Sequence, residues 1–155
     1  MAPTAAKLRF PQGYGRATRT LRWAAVQAQL VEARVYWFAS VRPDGRPHVV
    51  PLDGIWDDGI WYYGGAPETV HRRNIEASPF ASIHLPDAGR VVVVDGEVRR
   101  TPRPPEEAAR LAELSNAKYG YGSPASDYEN ALGLHPKRAI AWDTFPKDAT
   151  RFTFD

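Results

Sequence analysis

The segment WYYGGAPETVHRRNIEASP, Trp61 to Pro79, is the part of the chain best equipped for binding chemistry. An aromatic strand stops at Gly64 and Gly65, where main chain without side chains lets a ligand come close. Pro67 suits the first turn of a helix, because its missing N–H would be unpaired there anyway. A helix starting at Pro67 leaves the amides of Glu68, Thr69 and Val70 free at its positive end, which favours an anion. The Thr69 hydroxyl and the His71 or Arg73 side chain would complete a cradle for a terminal phosphate. Glu68 argues the other way, since a carboxylate in the first turn stabilises an empty helix. A strand–glycine–helix turn followed by a solvated basic face is the commoner reading of such residues.

Two prolines mark a second candidate surface. Pro47 and Pro51 each remove a ladder donor from the stretch RPHVVPLDGIW, Arg46 to Trp56. That stretch belongs at an edge, a bulge or a groove, with main-chain groups near Val50 and Leu52 free for another partner or for water. Aromatic residues Trp37, Trp56, Trp61, Tyr62, Tyr63, Trp142 and Phe145 come from neighbouring strands and serve a core or the wall of a planar heterocycle. Arg99 and Arg100 at a strand end, with Arg151 in the last strand, make a basic rim or an ordinary charged face.

Other chemistries find little support. The four histidines, His48, His71, His84 and His135, have no ligand-spaced partners, so no metal site is expected. Gly-x-Ser-x-Gly, Walker and dinucleotide-binding glycine patterns are missing. With no cysteine, disulfides and thiolate chemistry are excluded. Asp57-Asp58 and Glu106-Glu107 sit in a turn and a helix start, where capping and solvation account for them. A formal net charge of +2 suits a small anion and falls short of a nucleic-acid footprint. Without a long apolar run, no membrane association is expected, and the plain expectation is a soluble cytoplasmic protein.

The elements that must hold these residues are mostly strands. The 155 residues, 43% hydrophobic and 25% charged, suit one domain, and 14 prolines with 12 glycines suit short strands and tight turns. Residues 1–19 read as an N-terminal arm needing a partner surface, and residues 20–155 as a single barrel domain. Apolar spacing predicts a helix from Thr20 to about Arg34, capped by Thr18 or Thr20. Val35 to Arg42 has the pattern of a strand buried on both sides. Asp-Gly turns then link it to Arg46–Trp56 and to Ile60–Gly65 as an antiparallel meander. Phe80–Leu85 and Arg90–Arg100 bring the count to five strands. A helix after Pro104-Pro105 ends at Gly120, and a last hairpin closes around Pro146-Lys147-Asp148. The fold class is mostly β with a few helices, as a small antiparallel, Greek-key-like barrel.

The run from Tyr36 to Val98, about two-fifths of the chain, resembles the pyridoxamine 5'-phosphate oxidase-like split β-barrel family of flavin and deazaflavin proteins. It is most similar to the branch of actinobacterial oxidoreductases that use coenzyme F420. The resemblance lies in the order of features: Trp37 to His48, Tyr63 to Gly65, Arg73-Asn74-Ile75, Val91 to Gly96, and the closing AWDTFPKDATRFTF with its Trp142 and Arg151. It implies a split β-barrel and a homodimer with cofactor grooves at the subunit interface. It also implies hydride transfer between F420, or alternatively FMN, and a small-molecule substrate. By the resemblance, the main chain of Val50, Pro51 and Leu52 lies along the ring system, Tyr63, Gly64 and Gly65 along the polyol chain, and Thr69, Val70, His71 and Arg73 at the phosphate. Trp142 and Arg151 join the cofactor-binding set, while Arg72, Arg99 and Arg100 are candidates for the acidic tail of F420. His71 stands where the family usually has lysine. Tyr119, Tyr121 and Trp142 are candidates to line the substrate pocket. No catalytic side chain is implied, because the reactivity belongs to the cofactor. A non-catalytic carrier or haem-binding protein on the same barrel is the alternative.

Overall fold

The computed structural model describes residues 2–155; Met1, the first residue of the expected arm, lies outside the described residues. Among the described residues, nine strands and three helices follow in the order β1 (Thr4–Lys7), α1 (Trp23–Glu32), β2 (Tyr36–Val41), β3 (Pro47–Leu52), β4 (Ile55–Asp57), β5 (Ile60–Tyr63), α2 (Val70–Ala77), β6 (Phe80–His84), β7 (Val91–Arg100), α3 (Pro105–Tyr119), β8 (Leu132–Trp142) and β9 (Thr150–Thr153). A 3₁₀ turn, Ala125–Tyr128, precedes β8. All strand pairs are antiparallel, in the order β1-β9-β8-β7-β6-β2-β3, and the β4–β5 hairpin joins the sheet through β5 and β8. The sheet does not close on itself: it is a split β-barrel with β3 at one edge.

Long strand β8 makes this possible by changing partners along its length. Leu132 to Leu134 pair with β5, whereas Arg138 to Ala141 pair with β9. A bulge at Lys137 in β8, opposite Asp95 and Gly96 of β7, bends the pair between those halves. Only glycine fits on the β7 side, because a Cβ on Gly96 would lie 2.3 Å from the His135 carbonyl oxygen.

The meander expected from the Asp-Gly turns is half right. Gly45, at φ +86°, closes the β2–β3 hairpin, and Asp58 and Gly59, at φ +47° and +76°, make the tight turn of β4–β5. The stretch Arg46–Trp56 is not one strand, however, and β3 does not pair with β4. The chain breaks at Asp53-Gly54, where Gly54 passes so close to Trp61 that a Cβ would sit 2.2 Å from its indole nitrogen. The span read as five strands therefore holds six. Both proline positions fit: β3 pairs only with β2, as expected of an edge strand.

Strand β2 is buried on one face, not two. Tyr36, Phe38 and Ser40 point into the core, while Trp37, Ala39 and Val41 stay partly or fully open. The core runs from Tyr36 and Phe38 through Trp61 and Tyr63 to Ile83, Val92, Val94, Leu134 and Phe152. Helix α1 starts at Trp23 behind Arg22 with no side-chain cap. Thr18 cannot cap it because its hydroxyl bonds the Lys147 carbonyl at 3.3 Å. Helix α3 ends as expected at Gly120, φ +73°.

The N-terminal residues find their surface on this chain. β1 pairs with β9, and the amides of Thr18 and Arg19 bond Lys147 O at 2.9 and 3.1 Å. Asp148, almost fully buried, ties this corner by accepting from the Asp143 amide, the Thr144 amide and Arg19.

Candidate functional site

Helix α2 begins at Val70, later than the sequence suggests. Residues 66–69 form a turn in which the Thr69 amide and hydroxyl both donate to the Ala66 carbonyl, at 3.0 and 2.8 Å. Pro67 therefore lies ahead of the helix, and the Thr69 donors are already engaged. The first amide inside the helix with an intrahelical partner is that of Arg73, bonded to Thr69 O at 3.1 Å. The free donors are thus those of Val70, His71 and Arg72.

Helical spacing decides which side chains accompany these amides. His71, Asn74 and Ile75 share the buried face, leaving Arg72 and Arg73 toward solvent. Asn74 pins that face by donating to the Ser40 hydroxyl at 3.0 Å, which fixes α2 against β2. His71 is only 5% exposed and sits near the rings of Phe38 and Tyr63, both centroids 6.0 Å away. Burial, followed by the charges of Arg72 and His48, lowers its pKa. The imidazole is therefore a neutral filler behind the glycine loop, and its Nδ1 has no bonding partner among the described residues. A charged His71 turned toward an anion, as lysine would be, is not what this packing favours.

Arg72 braces the loop from outside, its Nη1 donating to Gly65 O at 2.7 Å. Among the described residues, Arg73 has no hydrogen bond or ion pair from its side chain. Tyr63 completes the cluster. Its hydroxyl is buried without a partner among the described residues, and desolvation pushes its pKa far above the ordinary phenol value against the pull of Arg72 and Arg100.

Beside this junction, in the split between Asp53-Gly54 and β5, opens a cavity of about 410 Å³. Leu52, Tyr63, Gly64 and Gly65 form one side, and Tyr119, Tyr121 and Tyr128 the other. Its size is that of a small-molecule site. The C-terminal end of α3 holds the walls. The Tyr119 hydroxyl accepts from Gly54 N at 3.0 Å and shares its proton between the carbonyls of Arg34 and Gly54, each at 2.9 Å. Lys118 bridges Val31 O, Gly54 O and the Tyr36 hydroxyl at 3.1–3.3 Å, and burial, followed by Arg34, lowers its pKa to about 8. Tyr121 stacks on Tyr119 and bonds Asp53.

The structure thus gathers Leu52, Tyr63, Gly64 and Gly65 at the mouth of one cavity, with Val50 and Pro51 next along the β3 edge and Thr69 to Arg73 at the adjoining helix tip. Trp142 and Arg151 are not brought there. Trp142 pairs opposite Val91 and packs against Phe145, while Arg151 lies opposite Ala6 in the β1–β9 ladder. The expected basic rim is also thinner, since Arg99 is held by Glu97 at 2.6 Å. Asp53, Lys118 and Tyr128 were missed as parts of the site; the tyrosine-rich run after Lys118 was the available signal. Among the described residues no group of three metal-ligating side chains occurs, and no helix is long and apolar enough to cross a membrane.

Comparison with known proteins agrees with this architecture. No protein of curated function matches the chain. Among solved structures, one described as an F420 reductase superposes with a TM-score of 0.56 at 22% identity, over 84% of this chain and 98% of its own. A haem-binding protein from Mycobacterium smegmatis gives 0.65 at 19% identity, over 84% of this chain and 57% of its own. A conserved hypothetical protein from Mycobacterium tuberculosis gives 0.67 at 20%, over 83% and 88%. At such identities the likeness establishes the fold alone. The family model for pyridoxamine 5'-phosphate oxidase matches residues 23–143, from the start of α1 to just past β8. By that match, and with the split barrel it requires in place, the chain belongs to the pyridoxamine 5'-phosphate oxidase family.

Proposed function

We propose that this protein is an oxidoreductase that holds coenzyme F420, or alternatively FMN, against the β3 edge and exchanges hydride with a small organic substrate. The single observation that carries the reading is the junction of Gly64-Gly65 with α2. The amides of Val70, His71 and Arg72 at the helix tip and the Arg73 side chain have no partner among the described residues, and the Gly64-Gly65 loop just ahead of them lines an aromatic cavity. A Cβ added at Gly64 would meet nothing within 4 Å, so the space along the loop is clear.

These residues fit a flavin-type molecule with a phosphate on its side chain. The amides of Val70, His71 and Arg72 and the guanidinium of Arg73 would hold the phosphate. The chain past Tyr63, Gly64 and Gly65 would lie along the polyol, and the unpaired outer side of Val50, Pro51 and Leu52 offers main-chain groups to a ring edge. When bound, the cofactor supplies a carbon or nitrogen centre that gives or takes hydride. The chain would hold the ring so that one face stays open to a substrate. The rings of Tyr119, Tyr121 and Tyr128 would supply flat walls for a substrate.

A homodimer belongs to this reading. The open face of β2 continues into exposed Val41, Val49 and Phe80, at 43%, 51% and 64% exposure, which is an unusual amount of apolar surface for one sheet region. Across such an interface Trp142 would reach the groove of the second copy. A cytoplasmic location belongs to the same reading.

A non-catalytic haem-binding role is the second reading, favoured by the fold shared with the haem-binding protein from M. smegmatis. Titrating the purified protein with F420, FMN and haem separates the two. Saturable F420 or FMN binding, followed by turnover in a screen of hydride acceptors, supports the oxidoreductase. A Soret band from added haem with no flavin or deazaflavin binding overturns it.

A further inference from the structure

We propose that a second cleft, between the N-terminal arm and β9, is a binding site for a compact multivalent oxyanion such as a polyphosphate or an oligocarboxylate. The cleft measures about 760 Å³ and is lined by Lys7, Arg9, Arg16 and Arg151 together with apolar and glycine residues. Among the described residues no carboxylate lines it. Within one chain it shares no lining residue with the cavity beside Gly64-Gly65.

The charge of the cleft is not compensated by ion pairs among the described residues. The ion pairs among the described residues engage Arg19, Arg46, Arg90, Arg99, Arg103, Arg110 and Arg138. None engages any of the four cations of the cleft. Four like charges around one concavity repel one another, and an anion with several charges relieves all of them at once. Three of the four are arginines, whose planar forks suit phosphate and carboxylate oxygens in pairs.

The cations are also carried on a fixed frame. Lys7 is the last residue of β1, opposite Thr150, and Leu8 N bonds Ala149 O at 2.9 Å. On the return limb, Gly15 packs so closely on Pro146 that a Cβ would approach its ring to 2.9 Å, and Thr18 N is bonded to Lys147 O. The loop carrying Arg9 and Arg16 is thus pinned at both ends over Arg151. A pinned loop loses less conformational entropy on binding than a free basic tail.

The test is isothermal titration of the full chain with inorganic triphosphate and, separately, with citrate, at low and moderate salt. The site predicts saturable binding of one anion per chain, weakened by salt. Preference for triphosphate or for citrate identifies the phosphate or the carboxylate source. The double variant R9Q/R16Q should weaken that binding roughly tenfold or more, and K7Q alone should weaken it less. Melting temperature reports on folding, and F420 affinity should be unchanged in R9Q/R16Q. Absence of saturable binding, or equal binding by wild type and the double variant, overturns the proposal. A parallel loss of F420 affinity also overturns it, by making the cleft part of the cofactor groove.

Discussion

The imidazole of His71 backs directly onto Gly65: a Cβ built on that glycine would lie 2.9 Å from Cε1 and 3.0 Å from Nε2. Gly65 also has φ +111°, which side-chain-bearing residues rarely adopt. Gly65→Ala should therefore destabilise the fold by about 1–3 kcal/mol and weaken phosphate-bearing cofactors, because the loop must lift off the helix tip. Chemical denaturation and cofactor titration of the same variant check both parts. Gly64→Ala, with open space around its Cβ, is the control expected to fold normally.

His71 gives stability a pH dependence of defined sign. Burial, followed by Arg72 and His48, holds its folded pKa below the ordinary 6.5. The unfolded chain then binds a proton that the folded chain refuses. The stability linked to neutral His71 is fully present above pH 6.5 and is lost as pH falls through the lower folded value. His135, shifted the same way by its own burial, adds to the slope. Urea midpoints measured as pH is lowered should fall, and His71→Gln should flatten part of that fall but not all of it.

Tyr119 is expected to hold the cavity together. Removing its hydroxyl in Tyr119→Phe leaves the Gly54 amide without its acceptor and the Arg34 carbonyl without its donor. The expected cost is about 1–3 kcal/mol, read from denaturation, with substrate turnover reduced more than cofactor affinity. Equal stability of variant and wild type would show that the strand break at Asp53-Gly54 is held by other contacts.

The apolar face around Val41, Val49 and Phe80 is expected to bury itself against a second copy. Phe80→Glu combined with Val49→Lys should convert a dimer to a monomer in sedimentation and lower cofactor affinity together with it. A wild-type protein that sediments as a monomer at micromolar concentration contradicts the shared-groove arrangement.

Much of this was legible in the sequence, and what was not has physical causes. The Asp-Gly turns revealed both hairpins because positive φ at those positions leaves few residue choices. Pro47 and Pro51 revealed the edge strand because a missing N–H cannot be hidden inside a sheet. The separation of β3 from β4 was hidden, since it depends on Gly54 passing close to Trp61, a contact between residues that local periodicity does not connect. The inward turn of His71 was recoverable from its spacing with Asn74 and Ile75, but charge near a helix start drew attention first. The ordered arm depends on β9, far along the chain, and no local pattern announces that pairing. Tyr119 and Tyr121 were found through the resemblance; Lys118 was not, because an amine serving three distant acceptors leaves no mark in sequence spacing.

The central claim is that the helix tip at Val70–Arg72, with Arg73, grips the phosphate of a flavin-type cofactor whose ring lies along β3. A crystal structure of the protein soaked with F420 tests it most directly. The account predicts the phosphate within hydrogen-bonding distance of those three amides and of Arg73, with the ring edge at Val50–Leu52. Density showing the cofactor phosphate elsewhere, or the helix tip filled by the Glu68 carboxylate with the groove empty, would contradict it.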